Sequence, residues 1–260
     1  MIDKLLIKQN TLDFSSPILL FEKGGHKIYW LGVNMPDAFR TNIYLIVDGE
    51  EAVIVDPGNK AFYPKLYKKI EELGYVDNII GGIFCHQDPD VAGSLSDWVN
   101  NFREFKVMTS SRTNILFPHY GVSDYNFYPT GVRSDYKFEF KSGNSIKFIE
   151  APFLHFPGAI TTYDPISGFL FSGDIWAAID YEFRFIVQDF VDHIAKLNLF
   201  HLDYMSSSVA ARGYVQKLVD YDIDAILPQH GSIISSKDVN AAIKYLDNLY
   251  CGLDLIYPDL

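Results

Sequence analysis

A chain of 260 residues that is 48% hydrophobic and 21% charged can bury a large core, and its composition is that of a globular protein, not a disordered one. Lys and Arg number 22 against 33 Asp and Glu, a net charge of −11, which argues against nucleic acid as a general partner because phosphate binding needs a basic face. No apolar run approaches the ~20 residues that span a bilayer, the Ile2-Asp3-Lys4 start is unlike a signal peptide, and two cysteines cannot make a disulfide framework, so a cytoplasmic protein is expected.

Taken in chain order, Ile18–Phe21, Lys27–Val33, Ile43–Val47 and Ala52–Val55 are short apolar segments rich in β-branched and aromatic residues, and they predict a meander of antiparallel strands. Asp56-Pro57-Gly58 ends the last with turn chemistry. Phe62, Leu66, Ile70 and Leu73 recur on one face of a 3.6-residue period and predict a helix capped by Gly74. A buried strand follows at Ile79–Cys85, then a helix over Ala92–Phe102 and a strand over Phe105–Thr109. The aromatic, Pro- and Gly-punctuated stretch Ser110–Tyr136 reads mostly as loop with short helical turns. Strands return at Ser145–Glu150, Ala159–Tyr163 and Phe169–Phe171, helices at Val187–Asp203 and Ser207–Asp222, and a strand at Ala225–Leu227. A last helix carries Val239, Ile243, Leu246 and Tyr250 on one face. No repeat or composition shift marks a boundary, so one domain over residues 1–260 is expected, with two facing sheets and helices outside.

Chemistry concentrates in Phe84-Cys85-His86-Gln87-Asp88-Pro89-Asp90, a run of three ligand-capable residues just after a buried strand. Alternate residues of an extended segment point the same way, so His86 and Asp88 can meet one ion, while the Pro-rigidified turn carries Asp90 toward a second. Mixed carboxylate and imidazole donors suit iron or manganese, and zinc and copper also accept them. Alone, this run reads equally well as a solvated polar turn. Three later segments repeat the arrangement: Leu154-His155-Phe156-Pro157-Gly158, Leu170-Phe171-Ser172-Gly173-Asp174 and Leu227-Pro228-Gln229-His230-Gly231 each place a metal-competent side chain after a strand. Cys85, in an apolar run, reads as a small buried residue. His26, His119, His193 and His201 match no ligand segment.

The order and spacing of these segments resemble the metallo-β-lactamase superfamily, and within it the di-iron core of the flavodiiron proteins. Hydrolytic members carry His-x-His-x-Asp-His; the flavodiiron branch replaces the second His with an acid, often with Pro before the Asp and a small-Gly-Ser run after it. Asp88, Pro89 and Ala92-Gly93-Ser94 take those places here, and Thr41–Ile46 and Val55–Gly58 resemble the early strands. The resemblance implies an αββα four-layer sandwich of mixed sheets flanked by helices. It implies one iron held by His86, Asp88 and His155, a second by Asp90 and His230, and Asp174 bridging them, with an oxo, hydroxo or peroxo ligand between the ions. Where the family has a further His, this chain has Val91, so the second ion is expected to keep an open or water-filled position. Asp56 is expected to fix its turn and hydrogen-bond to a group behind the ligands and not to bind metal, and His119 is the residue to check as a substitute for the missing one.

The resemblance further implies a protein that binds and activates O₂, of the kind represented by stand-alone members linked to bacterial chemotaxis signalling. No phosphate-binding loop for FMN and no flavodoxin domain are expected within these residues. Two other classes stand beside this one: an O₂ or NO reductase fed by an external electron donor, and a zinc-dependent hydrolase, which Asp88 and Val91 disfavour. The expected partners are O₂ or NO and either a signalling protein or a redox donor; a homodimer through the αββα body stays open.

Overall fold

The computed structural model describes residues 2–33 and 38–259. The contact pattern divides the chain into two units, one of residues 13–33 and 41–148, the other of 2–12, 38–40 and 149–259. The chain opens with helix α1 (Ile2–Lys8), which sequence patterning does not reveal because only Ile2 of it is buried.

In the first unit, strands β1 (Ile18–Lys23), β2 (His26–Val33), β3 (Asn42–Asp48) and β4 (Glu51–Val55) form the expected antiparallel meander. Helix α2 (Tyr63–Glu72) buries Leu66 and Ile70 and crosses to β5 (Ile79–Ile83), which pairs parallel with β4. Strands β3 and β4 are buried at every position, which is why they read as unbroken apolar runs. The helix expected over Ala92–Phe102 is two, α3 (Pro89–Ala92) and α4 (Leu95–Asn101). The break falls at Gly93, where a Cβ would lie 2.3 Å from the Pro89 carbonyl and 3.0 Å from the Asn59 backbone, so the chain bends to pack on the turn after β4. Strand β6 (Lys106–Thr109) follows, then helix α5 (Ser111–Asn114) capped by Ser110. The stretch expected to be loop also holds β7 (Asn126–Pro129), parallel to β6, completing a seven-stranded sheet in sequence order. Its Asn-Phe-Tyr-Pro sequence has no alternating pattern, and an edge strand tolerates the terminal proline.

The second sheet has six strands in the order β13-β12-β11-β10-β9-β8. These are β8 (Lys137–Glu139), β9 (Ser145–Glu150), β10 (Ile160–Asp164), β11 (Phe169–Gly173), β12 (Ala225–Pro228) and β13 (Ile234–Ser235). Only β11 and β12 pair parallel among the registers described. Strands β8 and β13, three and two residues long, are too short to show a period and were not expected. Helix α6 (Phe190–Tyr204) starts three residues later than Val187 because Asp189 caps it, accepting from Val191 N at 2.8 Å. Helix α7 (Ser208–Lys217) is capped by Ser207 and ends in a tight 3-10 turn over Leu218–Asp220, short of Asp222. Helix α8 (Ser236–Asp247) buries Val239 and Leu246 but ends before Tyr250, which is 55% exposed, and α9 (Leu253–Ile256) closes the chain. The apolar faces of α6, α7 and α8 share one buried cluster with Leu170 of β11 and Ile226 of β12, and this cluster seats the strand ends that carry Asp174 and His230.

Candidate metal centre

In the unit of residues 13–33 and 41–148, β5 runs out at Ile83 and the next residues are held from both sides. Asp56 N donates to the Ile83 carbonyl at 2.9 Å, Phe84 N to the Met108 carbonyl at 2.9 Å, and Cys85 N to Asp56 Oδ1 at 2.9 Å. Asp56 is buried with φ +51, a left-handed conformation that Asp tolerates better than most residues, and its bond to Cys85 N fixes the turn that leads to His86. His86 is 3% exposed; its Nδ1 lies 3.0 Å from Cys85 Sγ, which turns Nε2 toward Asp88 Oδ2 at 3.4 Å. Cys85 is buried, as expected for a packing residue, and its sulfur also fixes the ring of His86. Gln87 Nε2 donates to the other Asp88 oxygen at 2.7 Å.

Asp90 stands in the first turn of α3, half-buried. Tyr120 donates to the Gln87 carbonyl, and its phenol is pushed up to about 12, first by burial and then by the negative charges of Asp88 and Asp90. His119, the residue to check as a substitute ligand, is exposed on the 3-10 turn Phe117–Tyr120. The Phe-Pro-His-Tyr stretch does bear on the site, through Tyr120. Val91 is fully buried in the apolar cluster that includes Phe84 and Leu95, so the position where the family has a histidine is filled by core packing.

In the other unit, His155, Asp174 and His230 come together. Asp174 follows β11 and is 5% exposed; His155 Nε2 lies 3.0 Å from its Oδ2, and His230 Nε2 3.6 Å from its Oδ1. Each carboxylate oxygen thus faces a different imidazole. His230 follows β12 and is fully buried; its Nδ1 donates to the Arg40 carbonyl at 3.0 Å, leaving Nε2 as the acceptor nitrogen toward Asp174. Phe39 stacks on the His230 ring with centroids 3.6 Å apart. Gly231 has φ +86, and a Cβ there would lie 2.7 Å from Ala178 Cβ, so the turn after His230 needs glycine. His155 sits edge-on to Phe200 and Tyr204, each 6.0 Å away.

Trp176, two residues past Asp174, donates its amide to His201 Nε2 at 3.0 Å, and burial pushes His201 down to about 4. His201 and His26, the latter paired with Asp48 at 2.7 Å, are satisfied interior histidines. Arg40, Phe39 and Tyr120 escaped sequence reasoning because their contacts with the candidate segments span 33 to 191 residues and leave no local pattern, while Gln87, next to Asp88, carries no signal of its own as a polar residue in a turn.

A family model described as ODP family beta lactamase matches residues 39–231. Among solved structures, the chain is similar to the peroxy diiron species of the chemotaxis sensor ODP, at 31% identity and TM-score 0.80, over 94% of this chain and 100% of that one. It is equally similar to the apo state of the chemotaxis sensor ODP from T. denticola, at 30% identity and TM-score 0.81, over 94% and 99%. Among curated proteins, the nitric oxide reductase of Moorella thermoacetica is 27% identical over 236 residues, 84% of this chain and 58% of its own length. The chain spans 22%, 58% and 57% of the first three curated relatives it matches. These likenesses bear out the metallo-β-lactamase-type α/β fold, two mixed sheets flanked by helices, and the resemblance to flavodiiron cores.

Proposed function

The chain belongs to the ODP family of β-lactamase-like proteins, and on that premise we propose that it is a non-haem di-iron protein that binds and activates O₂ in oxygen sensing or signalling. The observation that carries the reading is Asp174, whose two oxygens face His155 and His230 separately, as a carboxylate bridging two ions requires. In this reading His86, Asp88 and His155 hold one iron, Asp90 and His230 hold the other, and Asp174 spans both. The donor set fits. Three carboxylates supply −3 against +4 from two ferrous ions, and one hydroxide completes neutrality. Asp88, in place of an imidazole, is a harder anionic donor that favours the oxidised pair.

Bound iron would supply the electrons that O₂ accepts; the chain's own residues do the rest. The Arg40 carbonyl fixes the tautomer of His230, Cys85 orients His86, and Gln87 holds one oxygen of Asp88 so that the other stays toward His86. Burial of His86, Asp174 and His230 excludes water and strengthens every charge interaction at the centre. Val91 places apolar surface where a further imidazole would bind, which leaves room at the second ion for a small diatomic ligand.

The 260 residues are read as one metallo-β-lactamase-like domain in the cytoplasm. Among the described residues no helix is long and apolar enough to cross a membrane. Its partners are O₂ or NO and a protein that reads the liganded state, and a homodimer is compatible with this role. A second reading, an O₂ or NO reductase using an external donor, is favoured by the likeness to the Moorella thermoacetica nitric oxide reductase. Anaerobic purification, metal analysis and optical spectra before and after admitting air test both. Two irons per chain and a slowly fading visible band support sensing, while rapid bleaching with reductant consumed supports turnover. A single zinc, with cleavage of an ester probe, would overturn both in favour of a hydrolase.

A further inference from the structure

Away from the candidate metal centre, the unit of residues 13–33 and 41–148 holds a cavity of about 370 Å³, lined by β2, the start of β3 and helix α2. That volume lies within the range of small-molecule sites. Leu31, Ile43, Phe62 and Leu66 supply buried apolar wall. Lys65, Lys68 and Lys69 of α2 also line it, together with one carboxylate, Glu72; the lysines' i, i+3, i+4 spacing puts them on one helix face. Three lysines against one glutamate in a single cavity stand out on a chain of net charge −11.

The three lysines are not equivalent. Lys68 pairs with Glu72 at 3.7 Å, and Lys65 is exposed. Lys69 is half-buried, and its ammonium makes no hydrogen bond or ion pair among the described residues. Its Nζ stands 6.0 Å from the Trp30 ring centroid and 2.6 Å from where a Cβ of Gly32 would lie. Gly32, at φ +128, lies at a shift in the β2–β3 register between Trp30 and Gly32, and the ammonium sits against its bare backbone in the space a side chain at this position would take. An ammonium carries three donors, and half-burying them without acceptors is costly. Burial holds Lys69 below the ordinary lysine pKa, and the attraction of Asp13 and Glu72 does not cancel that effect.

We propose that this cavity binds a small carboxylate with an apolar body, its head on Lys69 and its body against Leu31, Ile43, Phe62 and Leu66. The carboxylate provides the acceptors that Lys69 lacks, and the apolar body dries the wall. The proposal is independent of the iron reading, because no residue of the cavity is a candidate ligand.

Isothermal titration of the full chain with octanoate, and with 1-octanol as its neutral counterpart, tests it. Octanoate is expected to bind saturably at one site and more tightly than octanol. Lys69→Met is expected to weaken octanoate by about tenfold or more, the weight of one charge-assisted contact, and to leave octanol unchanged. Lys69→Arg is expected to keep the binding. No saturable octanoate binding at millimolar concentration, octanol binding as tightly as octanoate, or equal octanoate affinity in the parent and Lys69→Met would each overturn the proposal. The comparison of octanoate with octanol uses the parent protein and decides the matter even if a variant fails to fold.

Discussion

Asp56 is the residue through which sequence, turn and candidate centre are tied most directly, and replacing it tests whether the ligand turn is held in advance. Its Oδ1 accepts from the buried Cys85 amide at 2.9 Å, one residue before His86, and its own φ is +51. Asp56→Ala removes an ionised acceptor from a buried amide, which costs about 1–3 kcal/mol. Alanine at a left-handed φ adds roughly 1 kcal/mol. The expected loss is therefore about 2–4 kcal/mol, and at ~2–4 °C per kcal/mol for a domain of this size the melting temperature falls by roughly 4–16 °C. Asp56→Asn keeps an oxygen acceptor and tolerates the same φ, so it is expected to lose less than half as much.

Thermal unfolding of chelator-treated protein followed by circular dichroism isolates this effect from metal linkage. Iron titration then reports whether the turn still presents His86; a support of this kind is worth about 10- to 100-fold in metal affinity. Should Asp56→Ala melt within 1 °C of the parent, or Asp56→Asn fall as far as alanine, the Asp56–Cys85 bond is not what holds the turn.

Asp88→His is expected to shift the metal taken up from iron toward zinc, measured by elemental analysis after growth in mixed metals; unchanged iron content contradicts the hardness argument. Val91→His puts a polar ring into a fully buried apolar position, so it should cost about 1–3 kcal/mol and also change the decay of the visible band that air induces; identical decay removes position 91 from the mechanism. His193 and His201 are both pushed down to about 4, chiefly by burial, so the unfolded chain binds more protons than the folded one below pH 6.5. Their contribution is fully present above pH 6.5 and is lost as pH falls toward 4, by about 3 kcal/mol each; urea midpoints that stay flat from pH 7 to 4.5 contradict this. Gly231→Ala drives a Cβ to 2.7 Å from Ala178 Cβ at φ +86, and an expected loss of about 1–3 kcal/mol is read from the melting temperature.

The strand-end positions of His86, Asp174 and His230 were legible because a buried strand followed by a tight turn has a local signature: an apolar run, then Gly or Pro beside a polar residue. The early meander was legible for the same reason. Helix α1 was not, since six of its seven residues escape full burial and carry no stripe. The break at Gly93 was invisible because it answers to the Asn59 backbone, more than thirty residues away. The supports of the candidate ligands were hidden in the same way: Arg40 reaches His230, and Tyr120 reaches Gln87, only through the folded chain. Val91 was conspicuous by comparison with a family pattern, but that it packs into the core could be seen only in three dimensions.

The sensing and turnover readings use the same six side chains, so no ligand substitution separates them. What differs is how fast electrons return to the ions, and the likeness to a reductase of which the matched region is 58% leaves that supply open. The aromatic rings beside the ligands matter here. Phe39 lies on His230 and stacks on Phe200, which stacks on Tyr204, so the second unit's imidazoles sit in a wall of carbon that limits solvent access. Excluding water slows proton delivery, and without protons reduced oxygen species are released slowly. On the proposed reading, this apolar wall beside His155 and His230 is the feature that would favour a long-lived bound state over rapid turnover. Hydrolysis, by contrast, needs a water at the metals as a reactant, so on the same reading it gains nothing from that wall.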